Sequence, residues 1–221
     1  MSRWGVFAKR MVDLVITVPM SLLLALPMFI FGLAIKLEDR GSVFFRQERI
    51  GRDGVPFRVW KFRTMAERSV SSAPDPLRVN DARITRVGKF LRGFGLDELP
   101  QLLNVLSGEM SLVGPRPTLR YQVEAYDAFQ RRRLEAKPGI TSLAVVSGRN
   151  ALPWVERIKL DVWYIDHWSL GLDIKILFRT LWRVLVTREG LYGEDGVNDM
   201  FVDAAMKPRG EEQEGDRGGE T

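Results

Sequence analysis

The chain has 221 residues, of which 45% are hydrophobic and 28% are charged, a composition typical of a folded protein. Its 33 Lys and Arg residues against 28 Asp and Glu residues give a formal net charge of +5, which favours anionic partners such as phosphates, nucleotides, nucleic acids or acidic lipid headgroups. The absence of cysteine excludes disulfides, thiolate metal sites and cysteine nucleophiles, and the single histidine, His167, argues against a histidine-based triad or zinc site.

The first predicted element is a membrane-embedded helix. Residues 14–35 carry no charge and are long enough, as a helix, to cross the hydrocarbon core of a bilayer. Pro27 lies inside this run, and basic residues flank both of its ends, which favours the cytoplasmic side for both. We therefore expect a re-entrant helix-break-helix within residues 1–40, with Arg10 paired to Asp13. A cleaved signal peptide is the alternative, and the length of the apolar run argues against it.

Residues 42–48 and 57–64 are predicted to be two strands joined by a turn around Asp53 and Gly54. Basic side chains along this hairpin are numerous enough to hold a diphosphate, although a solvated basic surface explains them equally well. They are Arg46, Arg49, Arg58, Lys61 and Arg63. The polar residues 66–81 are predicted to form a loop, and residues 84–94 an amphipathic helix that lies on a membrane surface or against the core.

Two adjacent carboxylates, Asp97 and Glu98, precede an apolar run with helical spacing. The plain structural explanation is that Asp97 caps a helix and Glu98 lies in its first turn. The alternative is a functional pair, because neighbouring carboxylates repel each other and are suited to a metal, nucleophile or acid-base site. The pair taken alone favours capping.

The second half of the chain is predicted to be mostly helical. Residues 108–117 are predicted to form a short strand and a rigid turn, in which Arg116 stands between two prolines with the defined direction that phosphate recognition needs. Helices are expected at residues 121–137, 154–163 and 174–186, and a strand at residues 141–146. The tryptophans in and near the last two helices suit either a membrane interface or the core.

Several strings occur together, and in order, between residues 7 and 200. They are KRMVDL, VFFRQERIGRDGVPFRVWKFRTM, RITRVGKFLR, LDELPQLLNVLSGEMSLVGPRP, KPGIT, GRN and LDVWYID. Each string is a weak signal alone, but their combined order is specific. In this order the chain resembles the bacterial sugar transferases, specifically the small monotopic phosphoglycosyl transferases that act on a polyprenol phosphate.

The resemblance implies an enzyme that moves a phosphosugar from a UDP-sugar to undecaprenyl phosphate, giving a polyprenyl diphosphosugar and UMP. It implies Mg²⁺ as cofactor and a location at the cytoplasmic face of the bacterial inner (plasma) membrane. Asp97 matches the family nucleophile that forms an aspartyl-phosphosugar, Glu98 matches its acidic partner, and both match metal ligands. Arg116 is then the leading phosphate clamp. Further candidates for substrate binding are Lys61, Arg63 and Arg149.

The implied fold is α+β, with a β-hairpin and amphipathic interfacial helices around a small mixed core. Residues 1–40 would form the membrane-embedded helix, 41–202 the cytoplasmic catalytic domain and 203–221 a disordered tail. Two features depart from the family pattern. Leu26, where the family often has Ser, precedes Pro27, and residues 140–150 read ITSLAVVSGRN where the family usually has ITGWAQVNGRN.

Other functions are less consistent with the residues. A catalytically silent UDP-sugar or lipid-binding module would need a broken dyad or phosphate clamp, whereas both are intact. A nucleic-acid binder would need a base-reading motif, and nothing resembling one is present, so no nucleic-acid partner is expected. The sequence does not fix the sugar: an N-acetylated amino or diamino sugar is the first hypothesis, with galactose or glucose as alternatives.

Overall fold

The computed structural model describes residues 3–66, 83–148 and 152–183. The first half of the described chain consists of helix α1 (Arg3–Asp39), strands β1 (Phe44–Ile50) and β2 (Pro56–Phe62), helix α2 (Arg86–Phe94), helix α3 (Leu102–Ser107) and strand β3 (Ser111–Val113). The second half consists of helices α4 (Arg120–Glu124) and α5 (Ala128–Arg131), strand β4 (Gly139–Thr141) and helices α6 (Leu143–Ser147), α7 (Trp154–Asp166) and α8 (Leu170–Trp182). The architecture is mixed helix and strand, as expected, and the predicted tail at 203–221 lies outside the described residues.

Helix α1 has 37 residues and is about 55 Å long if straight. It is long and apolar enough to cross a membrane by length and composition. Its backbone stays helical through Pro19 and Pro27, so the structure does not confirm the predicted helix-break-helix. A proline removes one hydrogen bond of the helix, and in α1 the helical backbone continues on both sides of that loss.

One face of α1 packs against the rest of the protein from end to end. Ile16, Met20 and Leu24 contact the main core, and Met28, Phe31 and Ile35 contact a second cluster with Phe62 and Leu91. The main core is formed by Phe57, Val59, Leu102, Val105, Met110, Leu112, Val113, Val146, Tyr164 and Ile176. The other face of α1 is exposed and apolar, and includes Val15, Leu22, Leu23, Leu26, Phe29 and Leu37.

Polar contacts fix both ends of α1. Near its start, Lys9 pairs with Asp173 of α8 at 2.7 Å, and Arg10 donates to the carbonyls of Val105 and Leu106 at the end of α3. The predicted Arg10–Asp13 pair is therefore not the one that forms. Asp13 instead accepts hydrogen bonds from the Ser111 hydroxyl and the Leu112 backbone N–H, both at 3.0 Å.

At the other end of α1, Glu38 accepts hydrogen bonds from the backbone N–H groups of Arg86 and Val87, and Asp39 pairs with Arg63. These N–H groups belong to the first turn of α2, where a helix leaves donors without partners in its own backbone. Glu38 therefore helps to cap α2, and α1 is attached to the rest of the described chain at both of its ends.

The predicted hairpin is confirmed. β1 and β2 pair antiparallel from Phe44 opposite Phe62 to Ile50 opposite Pro56, with a tight 3₁₀ turn at Arg52–Gly54 between them. A second, two-stranded sheet is parallel and joins β3 to β4. The two sheets are small, and strands and helices both contribute to the main core: Phe57, Val59, Leu112 and Val113 lie in strands, and half of the buried core residues lie in helices.

Two sequence predictions in the second half are wrong. Residues 121–137 do not form one helix, because the chain breaks between α4 and α5, where the Asp127 side chain caps α5 by accepting from the Gln130 N–H. Residues 141–146 are not one strand either. β4 ends at Thr141, and Ser142 caps the short helix α6 through its hydroxyl.

Candidate active site

Asp97 and Glu98 lie in a tight 3₁₀ turn, Leu96–Gln101, between α2 and α3. α2 ends at Phe94 and is followed by Gly95, whose φ of 69° is a left-handed conformation that glycine adopts without strain. Gly95 precedes the 3₁₀ turn and α3 begins only at Leu102, so the predicted cap by Asp97 is wrong, although Glu98 does lie in a first turn. Both carboxylates are buried, with 2% of Asp97 and 6% of Glu98 exposed.

Glu98 is held by two cations. Its Oε1 accepts hydrogen bonds from Lys61 Nζ at 2.8 Å and from an Arg116 guanidinium nitrogen at 2.6 Å. Burial alone would raise the pKa of Glu98, but the positive charges of Arg116 and Lys61 outweigh it and hold this pKa well below its ordinary value. Glu98 is therefore ionised at neutral pH and fixes both cations next to Asp97.

Asp97 is in the opposite situation. Its Oδ1 is buried and accepts no hydrogen bond from the described residues. Burial, reinforced by the neighbouring charge of Glu98, raises the pKa of Asp97 from 3.8 to about 6, and the charges of Lys61 and Arg92 offset only part of this. At pH 7 most molecules carry an ionised Asp97 with one carboxylate oxygen that nothing in the described chain satisfies.

A buried asparagine fixes the strand that carries Lys61. Asn104, in α3, has no exposed surface. Its side-chain oxygen accepts from the Trp60 N–H at 2.9 Å, and its side-chain nitrogen donates to the Arg58 carbonyl at 2.9 Å and to Glu109 at 2.7 Å. These bonds tie β2 to α3, so Lys61 reaches Glu98 from a rigid strand. They also assign Glu109 to structural support.

A third cation, Arg92 of α2, lies close enough to Asp97 to lower its pKa. Its Nε donates to the Thr64 hydroxyl at 2.8 Å. The close approach that allows this contact depends on Gly88, because a Cβ atom on Gly88 would lie 2.2 Å from the Thr64 carbonyl oxygen. The glycine thus lets α2 press against the end of β2, which brings Arg92 to the dyad.

Arg116 is supported from behind by a buried ion pair. Arg133 and Asp161, with 4% and 2% of their side chains exposed, contact at 2.6 Å. Arg133 also donates to the Tyr126 hydroxyl at 2.5 Å and to the backbone carbonyl of Arg116 at 3.4 Å. The turn between the two prolines is therefore held at its backbone, while the Arg116 side chain, 38% exposed, reaches from the surface to Glu98.

The family model described as bacterial sugar transferase matches residues 4–187, which include all of the elements described above except the first residue of α1. The chain belongs to the bacterial sugar transferase family. Among curated relatives of this sugar transferase, the uncharacterized sugar transferase EpsL of Bacillus subtilis is 46% identical over 185 residues, covering 83% of this chain and 89% of the relative.

Two longer relatives of the sugar transferase have more informative names. The undecaprenyl-phosphate galactose phosphotransferase of Salmonella typhimurium is 41% identical over 201 residues, 84% of this chain and 42% of the relative. The UDP-glucose:undecaprenyl-phosphate glucose-1-phosphate transferase of Klebsiella pneumoniae is 40% identical over 188 residues, 81% of this chain and 40% of the relative. This chain therefore spans less than half of each of these two proteins.

A magnesium ion is compatible with the dyad of this sugar transferase. Mg²⁺ prefers oxygen ligands and is usually bound by one or two carboxylates together with substrate phosphates. Asp97 offers a buried oxygen without a hydrogen-bond partner, and Glu98 lies next to it. No group of three or more His, Asp or Glu side chains that could hold a metal exists within the described ranges, so the remaining ligands would have to come from substrate and water.

The structure brings four of the six predicted site residues of the sugar transferase together: Asp97, Glu98, Lys61 and Arg116. Arg63 lies elsewhere, buried in its ion pair with Asp39 at the end of α1. Arg149 lies outside the described residues.

Sequence reasoning missed Arg92, Thr64 and Asn104 as parts of the site. Arg92 was visible only as one of several basic residues around the predicted helix at 84–94. The signal that could have singled it out is Gly88 within the same helix, because a glycine inside a helix costs stability and often marks a close backbone approach. Asn104 inside an apolar helical run was a similar signal, since a buried amide needs partners.

Proposed function

We propose that this chain is a membrane-associated phosphoglycosyl transferase that moves a phosphosugar from a UDP-sugar to undecaprenyl phosphate, releasing UMP. The observation that carries the proposal is the unsatisfied Oδ1 of Asp97, buried beside a second carboxylate that holds two cations. An ionised oxygen with no hydrogen bond is available as a nucleophile, and the cations lie where a diphosphate would need its charge balanced.

The names of the relatives support this reaction and suggest the donor. Names that mention undecaprenyl phosphate, UDP-galactose and UDP-glucose belong to proteins that match more than 80% of this chain at 40–42% identity. We therefore place UDP-galactose and UDP-glucose first among the donors to be tested, ahead of the N-acetylated sugars expected from the sequence.

In the proposed chemistry, Asp97 Oδ1 attacks the sugar-bearing phosphorus of the UDP-sugar. A bond forms between Oδ1 and phosphorus, the bond from phosphorus to the bridging oxygen breaks, and UMP leaves with that electron pair. A phosphate oxygen of undecaprenyl phosphate then attacks the same phosphorus and releases the Asp97 carboxylate. The acceptor is already anionic, so no strong base is required.

The cations of the site have separate tasks in this scheme. Arg116 is partly exposed and can bind phosphate oxygens through its planar guanidinium, while Glu98 keeps it and Lys61 oriented. Arg92 offsets the repulsion between the two carboxylates before the substrate binds. A Mg²⁺ ion held by Asp97 and Glu98 would supply neutralisation of the diphosphate charge.

We further propose that α1 enters and leaves the membrane on the cytoplasmic side. The attachments of Lys9 to Asp173 and of Glu38 to α2 hold both ends of the helix on the same body. A helix that crossed the roughly 30 Å hydrocarbon core would have its ends on opposite sides, and its inward face would be separated from its partners. The exposed apolar face of α1 would then lie against lipid, with residues 41–202 as the catalytic domain.

The first experiment is UMP release by the detergent-solubilised chain with undecaprenyl phosphate, Mg²⁺ and a panel of UDP-sugars. Asp97→Asn should abolish release, and Asp53→Asn should retain it. Asp53 is a good control because it is an exposed carboxylate with φ of 57°, a conformation that Asn also tolerates. Folded protein that binds UDP-sugars but releases no UMP would instead indicate a silent binding module.

The covalent step has its own test. Without acceptor, intact mass measurement should find the mass of one phosphosugar added to the wild-type chain and to Asp53→Asn, but not to Asp97→Asn. The rival scheme is a direct one-step transfer in which Asp97 only binds the metal. A fully active Asp97→Asn enzyme would eliminate the covalent scheme.

A further inference from the structure

Helix α8 presents a surface that the proposed reaction does not use. Its only carboxylate, Asp173, is buried and bonded to Lys9, Tyr164 and Trp168. The outward side of α8 carries Lys175 and Arg179, four residues apart and hence on one face. Large apolar side chains lie beside them: Ile174, Phe178, Leu181 and Trp182 are all more than half exposed.

Two cavities open along this face and share Lys175 and Arg179 in their walls. One, of about 330 Å³, lies between α6, α7 and α8 and is otherwise lined by apolar side chains that include Trp163 and Leu172. The other, of about 460 Å³, is lined in addition by Val146, Phe178, Trp182 and Arg183. Both cavities therefore combine apolar walls with Lys175 and Arg179, and the second also contains Arg183, which donates to the Val145 carbonyl at 3.4 Å.

Neither Lys175 nor Arg179 makes a side-chain hydrogen bond or ion pair with another described residue. Most other basic side chains of the fold have such partners, as Lys9, Lys61, Arg63 and Arg133 do. Two cations beside apolar cavities match one kind of occupant: a headgroup with a negative charge, attached to hydrocarbon chains. An acidic peptide would satisfy the charges but leave the apolar walls without suitable contacts.

We propose that the surface formed by Lys175, Phe178, Arg179 and Trp182, here named the α8 surface, binds an anionic phospholipid. Its phosphate contacts Lys175 and Arg179, and its acyl chains enter the two cavities. The Lys9–Asp173 pair joins α8 directly to α1, whose outer face is also exposed and apolar. The proposal builds on the membrane location proposed above but adds a lipid preference that the transfer reaction does not require.

The test uses the full chain in a neutral detergent, titrated with phosphatidylglycerol or phosphatidylcholine whose acyl chains carry bromine. Bromine quenches nearby tryptophans, and Trp163 and Trp182 line the cavities. We expect half-maximal quenching of the wild type at about 30-fold lower phosphatidylglycerol than phosphatidylcholine, the effect of two basic residues near an anionic headgroup. The double variant Lys175→Gln/Arg179→Gln should lose this preference and retain quenching by phosphatidylcholine.

The matched control is Arg120→Gln/Lys159→Gln, which removes the same two charges from exposed surface pairs on α4 and α7. The control should keep the preference. An equal loss in both double variants, or no preference in the wild type, would overturn the proposal. So would competition by soluble glycerol phosphate at millimolar concentration, because it would indicate a site for free phosphate, or by polyglutamate, because it would indicate a protein partner.

Measurement of UMP release in the neutral detergent separates this proposal from the proposed function. Both double variants should release UMP at the wild-type rate. A loss confined to Lys175→Gln/Arg179→Gln would assign the two cations to the reaction and refute a separate phospholipid site. If no protein releases UMP but the quenching pattern is as expected, the proposed function fails and the lipid site stands.

Discussion

Asp97→Asn is expected to stabilise the fold at neutral pH while it abolishes turnover. Because burial and Glu98 raise the pKa of Asp97 from 3.8 to about 6, the folded protein holds a proton that the unfolded chain has already released between these pH values. Stability therefore falls as the pH rises through this window. Above it, the ionised Asp97 costs about 3 kcal/mol, since each tenfold change in proton affinity is worth about 1.4 kcal/mol.

The neighbouring isosteric variant should have the opposite effect. Glu98→Gln leaves Lys61 and Arg116 without their shared carboxylate, and Lys61 is largely buried. Removal of one member of a buried ion pair costs about 3–5 kcal/mol, and the exposure of Arg116 reduces this to about 2 kcal/mol. Asp97→Asn should thus raise the free energy of unfolding at neutral pH, whereas Glu98→Gln at the adjacent position should lower it.

The assay is urea unfolding in neutral detergent with a chelator, so that divalent ions do not alter the pKa of Asp97. At pH 7.5 the free energy of unfolding of Asp97→Asn should exceed that of the wild type by about 3 kcal/mol, and at pH 4.5 by about 1 kcal/mol. A destabilised Asp97→Asn at pH 7.5, or a gain that does not change with pH, would refute the assignment of Asp97 as an uncompensated buried carboxylate.

Three further variants test the support of the site, each by its urea midpoint. Gly88→Ala should lower the free energy of unfolding by about 2 kcal/mol, because its Cβ would meet the Thr64 carbonyl oxygen. The control Gly93→Ala, on the same helix but with open space around it, should be neutral or stabilising. Equal effects of the two variants would contradict the close approach of α2 to Thr64. Asn104→Leu should cost about 3 kcal/mol, since it leaves the Trp60 N–H and the Arg58 carbonyl without a partner, and a neutral result would remove its bridging role. Asp161→Asn should lower the free energy of unfolding by about 3 kcal/mol, because it leaves Arg133 without its buried carboxylate. It should also lower kcat, because Arg133 donates to the backbone of Arg116. A normal kcat in folded protein would show that the Arg133–Asp161 pair does not position Arg116.

The parts of the fold that follow local rules could be predicted from the sequence. The hairpin was predictable because aromatic and β-branched residues flank an Asp-Gly turn, and α2 because its apolar residues recur at helical spacing. Thr85 confirms the start of α2 by accepting from the Gly88 N–H, which is the usual role of a threonine before a helix.

The wrong secondary-structure predictions were made where a helix-capping residue lies inside a segment with regular hydrophobic spacing. Asp127 and Ser142 each start a new helix within a segment whose periodicity indicated one element, and both use the side-chain oxygen that such residues offer to a helix N-terminus. Periodicity alone does not distinguish a capping residue from a polar residue on the surface of a continuous helix. The same ambiguity affected Asp97, because the pair taken alone favoured a cap that does not occur.

Within the site, the residues that meet at Glu98 come from strings up to 55 positions apart, and their order alone indicated that they belong together. The order of the strings does not predict which carboxylate each basic residue pairs with. Arg63 follows Lys61 by two positions, yet its ion pair is with Asp39, because that carboxylate at the end of α1 is presented to the buried side of β2. Such a choice depends on the packing of α1, which no local pattern encodes.

The bonds of Asp13 have a consequence for the order of events during synthesis. Ser111, the first of its two partners, follows it by 98 positions in the chain. At about 5–20 residues per second, the ribosome reaches Ser111 roughly 5–20 s after it has added Asp13. Throughout this interval Asp13 lacks both of its partners, and the partner of Lys9, Asp173, is made later still. The C-terminal half of α1 contacts Phe62, Arg63 and Leu91, which are made earlier, so the protein partners of this helix become available from its C-terminal end towards its N-terminal end.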